Sequence, residues 1–331
     1  MPARFVLYET LRLCDCETHA VFESQVIRIY LAIAVGILAF AGTAIVLLKF
    51  VFKKNAEHAW RSFRGWLIMI PLIVGAILLG REATIIFLGL VALYGFTEFA
   101  RATGLYRDWL ITGLVSLGII ALTVFTLISS PEEPRVLGWY GMFMALPVYV
   151  VAGILLMPIL RDRTKGQLQV IALGVVGFAY IGWMFGHLAF LANGRNGAGC
   201  ILFLLFAVPL CDVAAFTFGK LLGRHKMRPN ISPNKTWEGS LGAFAVGMAL
   251  PWVFRFSLEG FGTRELILAG VIVGIGSQLG DLSISVIKRD IGIKDMGTLI
   301  EGHGGVLDRI DSLIYVAPLF FHMTRFFVGI Q

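Results

Sequence analysis

The chain has 331 residues, 57% of them hydrophobic and 15% charged, with a mean hydropathy of +0.82 and a formal net charge of +7. Soluble domains carry about 25% charged residues, so a soluble globular fold is excluded. The apolar runs are continuous and do not alternate, which excludes a membrane β-barrel. Runs near 20 residues match what a helix needs to cross a hydrocarbon core of about 30 Å. The expected fold is all-α, a polytopic helical membrane protein of about 10 transmembrane helices.

In chain order, residues 1–26 contain Glu9, Asp15, Glu17 and Glu23 and lack a short cleavable apolar core, so no signal peptide is expected. Ten spans follow, at 27–48, 65–80, 83–100, 109–129, 139–160, 168–192, 198–219, 240–256, 266–287 and 312–330. Arg81 and Glu82 mark a tight hairpin between the second and third. The chain divides into an N-terminal segment 1–64 with one span and a basic loop, a set of helices over 65–197, and a catalytic region over 198–331. Cys200 and Cys211 fall inside the seventh span and read as core. Cys14 and Cys16 could form a strained local disulfide or bind a metal, though no third ligand lies nearby in the sequence.

Placing 49–64 in the cytoplasm and alternating puts 101–108, 161–167, 220–239 and 288–311 on the same side. Those five segments hold 19 of the 28 Lys and Arg residues, the positive-inside signature. Both termini are then outside and every charged motif is cytoplasmic. The basic loops face anionic lipid headgroups, and the positive charge requires no nucleic-acid partner.

The chemistry-bearing residues lie in three C-terminal segments. Asp212 sits well inside the seventh span, where an ionisable group is rare unless it has a partner or lines a wet cavity. It reads either as a structural hydrogen bond or as a contact to a nucleotide or a metal shell. In the loop 223–239, Ser232-Pro233 forces an extended or turned backbone. Ser232, Lys235 and Thr236 then precede a helix, an arrangement able to hold phosphate oxygens. Arg224, Lys226 and Arg228 read as ordinary basic loop residues and His225 as solvated.

In the third segment Asp281, Ser285 and Lys288 fall at i, i+4 and i+7 and share one helix face. An acid below the headgroups is followed there by a hydroxyl and an ammonium rising toward water. Asp308, Asp311, Ser312 and Tyr315 share another face at the start of the last span. Two acidic faces can converge on hard cations, which prefer oxygen ligands. Gly302, Gly304 and Gly305 around His303 permit close backbone approach to an anion, or His303 simply stabilises the turn.

These residues carry a resemblance. Gly280-Asp281-Leu-x-x-Ser285-x-x-Lys288-Arg289, then Lys294-Asp295-x-Gly297 and Gly302-His303-Gly-Gly-x-x-Asp308-Arg309-x-Asp311-Ser312, resemble the signature of bacterial phosphatidate cytidylyltransferases. Cys211-Asp212 and Ser232-Pro233-x-Lys235-Thr236-Trp-Glu-Gly239 are similar to the segments that precede it, and Glu98 resembles an acidic position nearer the start. The resemblance is specific over about 209–312. Two features depart from it: Glu301 stands where the family has Pro, and the span at 27–48 is an addition.

The resemblance implies a multi-span enzyme of the bacterial inner membrane that condenses CTP with phosphatidate to CDP-diacylglycerol and pyrophosphate. It implies Mg²⁺, with or without a second cation, and leaves open a homodimer. Asp281 and Asp308 become metal ligands, and Asp311 a ligand or its partner. Asp212, Lys288 and Asp311 are the catalytic set. Lys235, Lys288, Arg289 and Lys294 would hold phosphates. Ser232, Thr236, Ser285, Asp295, His303 and Arg309 complete the substrate contacts. The barrier is largely repulsion between anions, which cations neutralise. The alternatives are a CTP-dependent lipid kinase, a transporter, whose site would lie nearer the midplane, and an inactive paralogue.

Overall fold

The computed structural model describes residues 25–50, 57–131, 134, 136–297 and 304–328, and for 47–50, 57–59, 61 and 62 the backbone only. Ten long helices occur among the described residues: α1 Gln25–Phe50, α2 Glu57–Leu78, α3 Arg81–Thr103, α4 Trp109–Leu127, α5 Tyr140–Leu160, α6 Gln167–Asn193, α7 Gly197–Leu222, α8 Trp237–Val253, α9 Thr263–Asp290 and α10 Leu307–Phe327. Each expected span overlaps one of them. Seven (α1, α3 to α7 and α9) are long and apolar enough to cross a membrane by length and composition. α2 has a shorter apolar stretch, Phe63–Leu78. α8 has 17 residues, and the first turns of α10 carry Asp308, Arg309 and Asp311. The all-α polytopic class is what the structure shows. It adds one element that the sequence reading treated as a turned loop: a two-stranded antiparallel ribbon, β1 Lys226–Arg228 with β2 Ser232–Thr236.

Packing divides the described residues into two units, those up to Phe87 and those from Leu88 onward. In the first, α1 lies along α2. Gly42 permits this, since a Cβ there would come within 3.1 Å of the Phe63 ring. The turn after α2 contains Gly80, whose φ of +101° is open to glycine without strain. The Thr84 hydroxyl donates to the Gly80 carbonyl at 2.8 Å, closing the expected hairpin.

In the second unit α4 starts at Asp108, whose carboxylate accepts from the Ile111 N–H as an N-cap. Arg161, at the end of α5, donates to both oxygens of Asp108 at 2.8 and 2.7 Å. α7, α8, α9 and α10 pack successively on one another, and α10 also packs on the second half of α6. Small residues let these backbones approach closely, as membrane helices require in place of a hydrophobic drive. A Cβ at Gly247 of α8 would lie 2.6 Å from the Gly274 Cα of α9. A Cβ at Gly239 would lie 2.5 Å from the Ala215 carbonyl of α7. A Cβ at Gly280 of α9 would collide with the Asp311 carbonyl of α10. The last two crossings bring the charged segments together.

Candidate active site

The acidic residues of three helices meet at one end of this four-helix group. Asp212 comes from α7, Asp281 from the last third of α9, and Asp308 and Asp311 from the first two turns of α10. Lys235 of β2 reaches Asp281 Oδ2 at 2.7 Å, and Ser285 donates to Asp281 Oδ1 at 3.2 Å. Lys288 lies 3.0 Å from Asp308 Oδ1 and 3.9 Å from Asp311 Oδ2. The Ser312 hydroxyl is 3.3 Å from Asp212 Oδ2 and 3.5 Å from Asp311 Oδ1, and the Ser312 N–H donates to Asp311 at 2.7 Å. The residues expected on two helix faces therefore converge, with Asp281, Ser285 and Lys288 on one side and Asp308, Asp311 and Ser312 on the other.

Access is graded across the cluster. Lys235 and Asp281 are 23% and 33% exposed at the side chain, whereas Asp308 is 3% exposed. Asp212 is exposed, with the Ser312 hydroxyl beside its Oδ2. Four carboxyl groups lie with two ammonium groups, so oxygen donors outnumber the countercharges. Asp212, Asp281 and Asp311 repel one another. At an effective dielectric of about 20, like charges about 5 Å apart repel by about 3 kcal/mol.

An excess of hard oxygen donors suits a hard cation such as Mg²⁺. Among the described residues no three His, Cys, Asp or Glu side chains already converge in a metal-holding geometry. Asp281 is engaged by Lys235 and Ser285. Asp308 accepts from Lys288 and from the Met296 and Gly305 N–H groups, both at 2.9 Å. Asp212 and Asp311 keep the least engaged oxygens, and Asp281 would join them in holding a cation by releasing Lys235 or Ser285.

Other expected site residues take different roles. Lys288 does not rise toward water: it is buried and folds across to α10, because Asp308 and Asp311 are its nearest countercharges. Thr236 is buried and caps α8 by accepting from the Gly239 N–H at 3.2 Å. Arg289 donates to the Ile231 and Ile293 carbonyls, tying the ribbon turn to the end of α9. Ser232 pairs with Arg228 across the ribbon and stays partly accessible. Lys294, Asp295 and Arg309 are exposed and enter none of these pairs. His303 and Glu301 lie outside the described residues, as do Cys14 and Cys16.

His225, read as merely solvated, is exposed but fastens the ribbon. Its Nδ1 donates to Glu238 at 2.6 Å, and the Arg224 and His225 N–H groups donate to the same carboxylate. The His225 contact, helped by those N–H groups, holds the Glu238 carboxyl down at about 2. Glu98 is buried, and its Oε2 accepts from the Leu307 N–H at 2.8 Å at the start of α10. The sequence reading carried Glu98 only as a position of resemblance. It missed Tyr180 entirely, whose hydroxyl donates to the Gly280 carbonyl at 3.3 Å. The available signal was a hydroxyl-bearing ring between Gly177 and Gly182 in an otherwise apolar span.

Comparison with known proteins bears on this arrangement. The model of the cytidylyltransferase family matches residues 61–327, beginning after α1. The phosphatidate cytidylyltransferase of Staphylococcus haemolyticus is 32% identical over 255 residues, 76% of this chain and 92% of that protein. The phosphatidate cytidylyltransferase of Staphylococcus aureus (strain COL) is 33% identical over 204 residues, 61% of this chain and 76% of that protein. An Escherichia coli relative called uncharacterized protein YnbB is 34% identical over 235 residues, 65% of this chain and 79% of that protein. The family match spans the helices that build the acidic cluster, and the chain is accordingly a polytopic membrane nucleotidyltransferase that belongs to the cytidylyltransferase family.

Proposed function

We propose that this enzyme condenses CTP with phosphatidate, giving CDP-diacylglycerol and pyrophosphate, at the cytoplasmic face of a bacterial inner membrane. The observation that carries the reading is the cluster of four aspartates and two lysines, built by helices that the family match covers. The names of the staphylococcal relatives supply the substrate class. The bias of Lys and Arg toward alternate loops supports the cytoplasmic face and outer termini.

Both substrates are anions, so the barrier to in-line attack on the α-phosphate is largely electrostatic. Asp281 and Asp311, with Asp212 alongside, are the residues that would hold Mg²⁺. When bound, Mg²⁺ supplies charge neutralisation of phosphate oxygens and a template for alignment. Asp308, also expected as a ligand, here accepts from Lys288 and from two backbone N–H groups. Lys235 is partly exposed on the ribbon and is placed to exchange its contact with Asp281 for a phosphate oxygen. Lys288 keeps a compensating charge beneath the cluster. No covalent nucleophile is required, because the phosphatidate phosphate is already ionised and displaces pyrophosphate itself.

The test is product analysis. Purified protein given CTP, Mg²⁺ and phosphatidate should form CDP-diacylglycerol and pyrophosphate in equal amounts. Release of CDP with a newly phosphorylated lipid would replace the reading with a lipid kinase. Labelling of a cysteine beside Lys235 by an impermeant reagent from the outer side would overturn the assigned face.

A further inference from the structure

α6 is irregular where it passes the acidic cluster. Gly177–Met184 forms a π-helical segment between α-helical Gln167–Val176 and Phe185–Phe190. A π turn takes in an extra residue, so the faces before and after it are offset by about 100° from a continuous α-helix. Before the segment, a Cβ at Gly174 would lie 2.8 Å from Ile111 of α4, and Ile154 of α5 is also near. After it, Phe185–Phe190 packs on α10. Gly177 and Gly182 seat the widened turn: a Cβ at either would come within 2.8 Å of the Phe96 or the Ile119 side chain. π turns inside α-helices are frequent at functional sites.

Tyr180 stands in the middle of that turn. Its hydroxyl donates to the Gly280 carbonyl at 3.3 Å. Gly280 immediately precedes Asp281 on α9. Gly280 also abuts α10: a Cβ there would lie 2.7 Å from the Ser312 Cα, besides colliding with the Asp311 carbonyl. One glycine is thus held between a hydroxyl of α6 and the turn of α10 that bears Asp311.

We propose that Tyr180 is a positioning residue of the active site: carried inward by the π turn, its hydroxyl pins Gly280 of α9 against α10 and so sets Asp281 in register with Asp311. The proposal rests on the function above for what that pair of carboxylates holds. Tyr180 acts through Gly280 and Asp281, and so its effect belongs to the geometry of the cation-holding oxygens, not to packing in general.

The test uses the full chain in detergent, with Mg²⁺ alone as the first probe. Tyr180→Phe deletes one hydroxyl and keeps the ring. Outer partners of metal ligands typically change affinity or activity by about 10- to 100-fold. The Mg²⁺ concentration for half of the metal-induced rise in melting temperature should therefore increase about tenfold. In the CTP and phosphatidate assay kcat should fall by about tenfold, while KM for CTP moves by less than about twofold. The melting temperature without metal should stay within about 2 °C, since one long hydrogen bond is worth about 1 kcal/mol. A variant that matches the parent in the Mg²⁺ shift overturns the inference, as does a parent with no Mg²⁺ shift. Loss of metal-free stability in step with activity overturns it too, by making Tyr180 a packing residue. A parent that makes no CDP-diacylglycerol sinks the proposed function instead, and the Mg²⁺ shift still decides the role of Tyr180.

Discussion

Lys288→Met is the substitution whose effect the structure defines most closely. The ammonium is buried, 3.0 Å from Asp308 and 3.9 Å from Asp311. At an effective dielectric of about 20, opposite charges about 4 Å apart attract by about 4 kcal/mol. Removing one partner of a buried pair costs about 3–5 kcal/mol, because the other charge is left uncompensated. Asp308 keeps the Met296 and Gly305 N–H groups, which places the cost near about 3 kcal/mol. At about 2 °C per kcal/mol for a large chain, the melting temperature in detergent should fall by about 6 °C. The double variant Lys288→Met/Asp308→Asn removes both charges and should recover to within about 1–2 kcal/mol of the parent. Turnover should drop by about 100-fold or more in both proteins, since neither has the ammonium under the cluster. Arg228→Met is the contrast: Arg228 is exposed and contacts the Met227 carbonyl and the Trp237 ring, so it should change little. Thermal melting and product formation are measured on the same preparations. Additive losses in the double variant, or an unchanged melting temperature in Lys288→Met, would refute the buried-pair argument.

Asp281→Asn and Asp311→Asn should each lower turnover by about 100-fold, a loss of about 2.7 kcal/mol in transition-state stabilisation. Each also relieves repulsion within the cluster, so melting without Mg²⁺ should be unchanged or raised. Near-normal turnover of either variant across a Mg²⁺ titration removes that residue from the cation-holding set. Glu238 gives a pH prediction of definite sign. Its carboxyl is held at about 2 in the folded protein, below the ordinary value of about 4.3. Its contribution is therefore fully present above that ordinary value and is lost only as the pH falls through about 2. Titration of the Glu238 carboxyl itself should add no pH dependence between about pH 5 and 8, and Glu238→Gln should speed hydrogen exchange at the Arg224 and His225 amides. Unchanged exchange there would mean that the ribbon is held without the clasp.

The local pattern of residues carried much of this fold. Apolar runs of bilayer length fixed the class and the helix positions, because a backbone in hydrocarbon has to satisfy its own hydrogen bonds. The spacing of Asp281, Ser285 and Lys288, and of Asp308, Asp311 and Ser312, placed each set on one face through the helical repeat alone. Those residues do meet. The ribbon at 226–236 was not legible, because its short strands carry prolines, asparagines and charges that argue against a strand.

What each side chain contacts was decided by packing between elements far apart in sequence. The repeat shows that Lys288 shares a face with Asp281 but not that α10 brings Asp308 closer to it. The Thr236 hydroxyl is a plausible phosphate contact until α7 covers it, and Arg289 reaches the Ile231 carbonyl only because the ribbon turn folds back over α9. Tyr180 and Glu98 act on helices 100 and 209 residues away. Periodicity is a property of one helix, whereas these contacts depend on where glycines such as Gly280 let two helices touch. The sequence alone thus determined the class of fold and the inventory of charged groups. Tertiary structure alone decided which charges face one another, since that depends on distances between helices.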